Sequence, residues 1–208
     1  MRREVRATAT VISPHLTEPL RTEVIRKLIH MLVALVPFIA SVDLHLAVGL
    51  LAGGTLFYLF AEDARRRGRR VLLVSDLTLI ASRSRDHGRF VVGPVTLGLG
   101  AMLALLLYPE PGSMIAVFAL AFGDSAASLI GKSVGGPRIP LTRGKTVAGS
   151  FACFAVVAAV TYRISADAGV SAVIGLAAAF FEALPFSDMD NVILPVGTGF
   201  VAARLLAV

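Results

Sequence analysis

The 208-residue chain has no tryptophan and one cysteine, Cys153. A lone cysteine excludes an internal disulfide and a cysteine-rich metal site. Without tryptophan, any interfacial aromatic belt is thin. Charge is scarce too: Asp, Glu, Lys and Arg make up 16% of residues, against about 25% in soluble domains. Residues 1–22 lack an apolar core followed by a small-residue cleavage site, so they read as a polar tail or surface segment and not as a signal peptide. What fills the chain is hydrophobicity, with 56% apolar residues and a mean hydropathy of +0.78. The expectation is one integral membrane domain over residues 1–208, folded as an all-α bundle. The formal charge of +6 is better assigned to membrane topology than to nucleic acid, and no nucleic-acid partner is expected.

Seven apolar stretches predict helices at 28–42, 45–61, 90–108, 113–131, 146–163, 169–186 and 191–207, against a need of roughly 20 residues per span. Residues 71–82 are too short to cross and flank a basic cluster, which predicts an interfacial or re-entrant helix. With the N-terminus inside, Arg2, Arg3, Arg6, Arg21, Arg26 and Lys27 fall on the inner side. So do Arg65, Arg66, Arg67, Arg69, Arg70, Arg83, Arg85 and Arg89, and after them Lys132, Arg138, Arg143 and Lys145. Only Arg163 and Arg204 of the 20 basic residues fall outside. The positive-inside rule therefore places the N-terminus in the cytosol and the C-terminus outside. Small residues at Gly123, Ala127 and Gly131, and at Gly49 and Gly53, predict close helix packing. Pro94, with Gly93, Gly98 and Gly100, predicts a kink in the third span.

Asp124 sits inside the apolar run from Ser113 to Gly131, with no neighbouring cation in the sequence. An ionisable group at that depth is costly and marks a functional site by default. Asp124, Ser128 and Lys132 share one helix face at spacings of four. At about 1.5 Å per residue, Asp124 lies roughly 12 Å below Lys132. Glu182 is a second misplaced acid, in AAAFFEALPF. Asp188, Asp190 and Asn191 follow it, and Pro195 is read as starting the next helix. Carboxylates and an amide this close suit a hard cation such as Mg²⁺. Asp188 and Asp190 read equally as a solvated turn with a helix cap.

The loop after Lys132 is rich in glycine and positive charge: Gly135, Gly136, Arg138, Arg143, Gly144 and Lys145. Thr146, Gly149 and Ser150 follow at a helix start, where backbone N–H groups and the dipole favour phosphate. It is not a Walker A loop, because that pattern needs glycine where Ile139 stands. Arg26, Lys27 and His30 open the first span, as positive-inside flank or as phosphate and substrate contacts. Glu62 and Asp63 end the second, as cap and counter-charge or as further site residues. All these groups fall on the predicted cytosolic side. The outer side holds only scattered polar residues such as Asp43, His45, Glu110 and Asp167.

RKLIH (Arg26–His30), GDSAASLIGKSVG (Gly123–Gly135), RGKTVAGS (Arg143–Ser150) and EALPFSDMDNVILP (Glu182–Pro195), in that order, resemble the CTP-dependent lipid kinases. That family includes dolichol, phytol and farnesol kinases and a diacylglycerol kinase. Dolichol-kinase-like members tend to carry Glu-Gly where this chain has Ala148-Gly149, so the resemblance leans toward phytol, farnesol or a short polyprenol as acceptor. It implies that CTP binds at Lys132, Gly135, Arg143, Gly144, Lys145, Thr146, Gly149 and Ser150. Substrate or phosphate would meet Arg26, Lys27, His30 and Asn191. Mg²⁺ (or Mn²⁺) would be held by Asp124, Glu182 and Asp190, and either Asp124 or Glu182 would orient or deprotonate the alcohol. Diacylglycerol as acceptor, a phosphatidate cytidylyltransferase and a small ion-coupled transporter are the rivals. The chain lacks the Lys-Asp pair of the second and shows no inverted repeat for the third.

Overall fold

A computed structural model describes residues 17–69, 71, 74–81, 88–186 and 189–206. Arg2, Arg3, Arg6, Arg70, Arg83, Arg85 and Asp188, and most of the 1–22 tail, lie outside the described residues. The rest is helical apart from loops and one isolated antiparallel bridge between Arg138 and Thr146. The chain opens with α1 (Thr17–Met31), a 3₁₀ turn (Leu32–Leu35) and α2 (Val36–Val42), followed by α3 (Leu44–Arg66). A short helix, α4 (Val74–Ala81), comes next, then α5 (Gly93–Leu107). After it come α6 (Gly112–Phe118), a π turn (Ala119–Gly123) and α7 (Asp124–Ser133) in one continuous run. The last three are α8 (Val147–Ser165), α9 (Ala168–Ala183) and α10 (Asp190–Leu206).

Four of these runs are long and apolar enough to cross a membrane: Leu20–Val42, Leu44–Arg66, Gly112–Ser133 and Val147–Ser165. Gly93–Leu107 and Ala168–Ala183 are shorter apolar helices. Large apolar side chains face outward along them, with Leu32 63%, Phe60 66%, Phe151 67% and Phe180 61% exposed. A contiguous apolar exterior of this kind is suited to lipid and not to water. Inside, the core is built largely from small residues (Ala119, Ala127, Cys153, Ala178 and Ala202), so the helix backbones approach closely.

Four expectations change. The first helix begins at Thr17 and not at 28, so Arg26, Lys27 and His30 lie within it and not at its mouth. Pro94 sits in the first turn of α5 and starts that helix instead of kinking it, since its missing N–H costs nothing there. Pro195 lies inside α10, which starts at Asp190. Having no N–H, Pro195 leaves the carbonyl of Asn191 without a helix partner. The backbone of α5 fills that space: a Cβ on Gly100 would sit 1.9 Å from that oxygen. Finally, Gly49 and Gly53 face open space, whereas Gly123 abuts Cys153 and Val157 and Gly131 abuts Thr146 and Gly149.

Asp43 and Asp167 have structural work. Asp43 caps α3 by accepting from the N–H groups of His45 (2.8 Å) and Leu46 (3.1 Å). Asp167 caps α9 by accepting from Val170 N–H at 2.9 Å.

Candidate active site

One end of the bundle gathers the chemistry. The C-terminal half of α1, the ends of α3, α7 and α9 and the starts of α5, α8 and α10 supply its residues. Two cavities open there.

The smaller cavity, about 310 Å³, is polar. It is walled by Ser128, Gly131 and Lys132 from α7, by Thr142–Thr146 from the loop, by Gly149 and Ser150 from α8, and by Glu182 and Asp190. Of the eight residues expected to hold the nucleotide, seven line it, and Gly135 does not. The loop is held as a tight hairpin. Ile139 N–H donates to Lys145 O at 2.9 Å, Val147 N–H to Pro137 O at 3.0 Å, and Thr142 Oγ1 to Ile139 O at 2.7 Å. Its turns use left-handed backbone at Gly135, Gly136 and Gly144, and also at Leu141 (φ 66°) and Arg143 (φ 54°), where a side chain makes that costly. Thr146 caps α8 by accepting from Gly149 N–H at 3.1 Å. Two early N–H donors of α8 are therefore already engaged, by Thr146 and by Pro137.

Glu182 lies at the end of α9, 3% exposed. Lys145 Nζ donates to its Oε1 and to its backbone oxygen, each at 2.6 Å, and Ser150 Oγ donates to Oε2 at 3.1 Å. Loop, α8 and α9 are thus tied at one carboxylate.

The larger cavity, about 530 Å³, is lined in part by α1. Ile29, Leu77, Phe90 and Leu97 give it apolar walls, and Arg26, His30, Asp190 and Asn191 give it polar groups. Asp190 lines both cavities.

Between them runs a buried polar network. Asp124 has a cation partner after all: Lys27 Nζ bonds its Oδ2 across 97 positions of sequence, with both side chains almost wholly buried. His30 Nε2 lies 3.2 Å from the same oxygen and 3.1 Å from Asn191 Oδ1. Both neighbours are acceptors, so Nε2 carries the proton. Asn191 Nδ2 in turn donates to Gly93 O (3.2 Å) and Thr96 Oγ1 (3.0 Å), which fixes the orientation of its amide. Glu23, 1% exposed, completes the wall by pairing with both Arg26 and Lys132. It therefore links a residue of each cavity.

Asp124 lines neither cavity; its carboxylate faces Lys27 and His30. Among the described residues, no three His, Cys, Asp or Glu side chains come together as a metal site, so Asp124, Glu182 and Asp190 do not form the expected three-carboxylate set. Glu62 is structural: buried, it accepts from Arg65 Nε at 2.7 Å and from Val91 N–H at 2.9 Å, clasping α3 to the segment before α5. Asp63 pairs with Arg67 at the surface at 2.9 Å. Glu23 is the site residue that sequence reasoning missed. Glu23, Arg26, Lys27 and His30 recur at helical spacing, a signal that an earlier helix start would have exposed.

Fold and site together define an all-helical protein with several membrane-length helices and a charged, two-chambered site at one end. No family model matches the chain, and no solved structure matches it. Among curated proteins it is similar to one described as "Probable phytol kinase 3, chloroplastic", from Glycine max. The two are 26% identical over 153 residues, which is 64% of this chain and 48% of the relative. The chain thus spans about half the length of the curated relative it matches, and the kinship is distant.

Proposed function

We propose that this protein is a multi-pass membrane kinase that transfers the γ-phosphate of CTP to the hydroxyl of an isoprenoid alcohol. The observation that carries the reading is the polar cavity. Lys132, Arg143, Lys145, Thr146 and Ser150 come from separate segments to one chamber that also holds Glu182 and Asp190. Cations and hydroxyls around carboxylates are what a triphosphate and its counter-ion need. The likeness to a phytol kinase supports the acceptor class.

In the reaction the alcohol oxygen bonds to the γ-phosphorus, the bond from that phosphorus to the β-phosphate oxygen breaks, and CDP leaves. The hydroxyl proton passes to a carboxylate lining the cavity, Glu182 or Asp190. Such transfers depend on positioning and charge neutralisation more than on covalent help from the protein. Lys132 and Arg143 bind phosphate oxygens. Lys145, already on Glu182, neutralises charge at the junction of loop and helix. Asp124 serves as the counter-charge that holds Lys27 and His30 in place. Mg²⁺ or Mn²⁺ commonly takes only one or two carboxylates and completes its shell with phosphate and water. Asp190 and Glu182 fit that need without Asp124, and the ion would neutralise phosphate charge when bound. In this reading the site faces the cytosol, and the charge asymmetry of the loops supports that orientation.

The test is purified protein in detergent with γ-labelled CTP and a panel of phytol, farnesol, a polyprenol and diacylglycerol. Label in an isoprenoid monophosphate is expected. Label in no lipid, with the cytidylyl group passing to phosphatidate, would sink the kinase reading.

A further inference from the structure

We propose that the larger cavity is the acceptor site, and that it takes the hydrocarbon chain of a membrane alcohol whose hydroxyl lies at Asp190. The inference rests on the kinase reading for what happens next, but not for what the cavity binds. Its walls come from α1, α3, α4, α5 and the segment before α5, and Ile29, Leu77, Phe90 and Leu97 make them apolar. A nucleotide has no use for such walls; a hydrocarbon chain does.

The cavity's volume of about 530 Å³ lies within the range of sites that take a small ligand, and it is open on one side, so a longer tail can continue outward from it.

Geometry fixes the direction of entry. Reacting atoms must come within about 3–3.5 Å of one another. The two cavities are separated by the buried Glu23, Lys27, Asp124 and His30 of the network, and Asp190 lines both. The alcohol oxygen must therefore reach the phosphate past Asp190, with its chain lying back toward Leu97 and α4. Arg26 lines the same chamber and is held by Glu23, so it stands ready for the negative charge the alcohol gains.

The experiment is photocrosslinking of the whole protein in nanodiscs with a farnesol analogue carrying a diazirine, followed by peptide mapping. Crosslinks in 74–81 and 89–97, competed by excess phytol, are expected. Crosslinks spread over the outer faces of α8 and α9 and indifferent to phytol would overturn the site. The assay needs no turnover, so it separates the two readings. Crosslinks in place with no phosphate transfer from any nucleotide uphold the cavity and defeat the kinase; transfer with crosslinks elsewhere does the reverse. Narrowing the chamber gives a second readout. Leu97→Trp, or Ala81→Phe on the short α4 if the first variant misfolds, should raise KM for phytol about tenfold with KM for CTP little changed. An unchanged KM for phytol in a folded variant counts against the site.

Discussion

At the scale of single residues, the decisive fact is that Asp124 is paired. An acid alone in an apolar helix invites a catalytic reading. An acid bonded to a buried lysine and histidine is part of a framework. Removing one partner of a buried pair typically costs about 3–5 kcal/mol, because the other charge is left uncompensated. Asp124→Ala and Lys27→Met should therefore each lower the unfolding midpoint in detergent sharply. The double variant Lys27→Met/Asp124→Leu should recover most of the loss, since replacing both charges by apolar groups is often close to neutral. Equal loss in singles and double would show that the pair is not the unit. Loss of turnover in Asp124→Ala alone would be no evidence of chemistry at Asp124. The informative activity variants lie at Glu182 and Asp190, which face the polar cavity.

Between elements, contacts are set by how closely backbones approach. α5 meets α10 where Gly100 lies against the carbonyl that Pro195 leaves unpaired. Gly100→Ala must push α10 away and shift Asp190 and Asn191 with it, at about 1–3 kcal/mol for overpacking. Gly49→Ala, with nothing within 4 Å of the new methyl, should instead be neutral or stabilising by up to about 1 kcal/mol from helix propensity. Thermal unfolding of the two variants side by side checks the contrast. In the loop, Leu141 is 94% exposed at φ 66°. Leu141→Gly relieves a left-handed cost of about 1–2 kcal/mol, partly offset by about 0.5–1 kcal/mol of glycine entropy. The net expectation is a small gain in midpoint, and a fall would mean that Leu141 is packed against something in the membrane.

The same scale shows what the sequence could tell. Long apolar runs name their helices, because hydropathy over a window is a strong local signal. The loop and its basic residues were equally legible, and seven of the eight expected nucleotide contacts share one cavity. The partnerships were not. Lys27 meets Asp124 across 97 positions and Lys132 meets Glu23 across 109. Which helix faces which is a tertiary property that no local pattern carries. The sequence starts the first helix too late because its charges look like a polar flank, when Glu23, Lys27 and His30 are in fact its buried face.

At the scale of the molecule, direction in the membrane is what makes the site usable. CTP is a cytosolic metabolite in the proposed reaction, so the polar cavity must open to the cytosol while the larger one admits the acceptor from the bilayer. Charge sorting predicts that arrangement. The fold allows a clean check, because Cys153, the one native thiol, is fully buried and gives little background labelling. Ser133→Cys, exposed at the end of α7 beside the polar cavity, reports one face. His45→Cys, at the start of α3 with its native side chain fully exposed, reports the other. In intact cells, a membrane-impermeant maleimide should modify His45→Cys and spare Ser133→Cys until the membrane is permeabilised. The reverse pattern would place the nucleotide cavity on the outer face, away from cytosolic CTP, and the kinase reading would fall with it. Labelling of both positions in intact cells would break the assumption that the two ends of the bundle lie on opposite sides of a membrane.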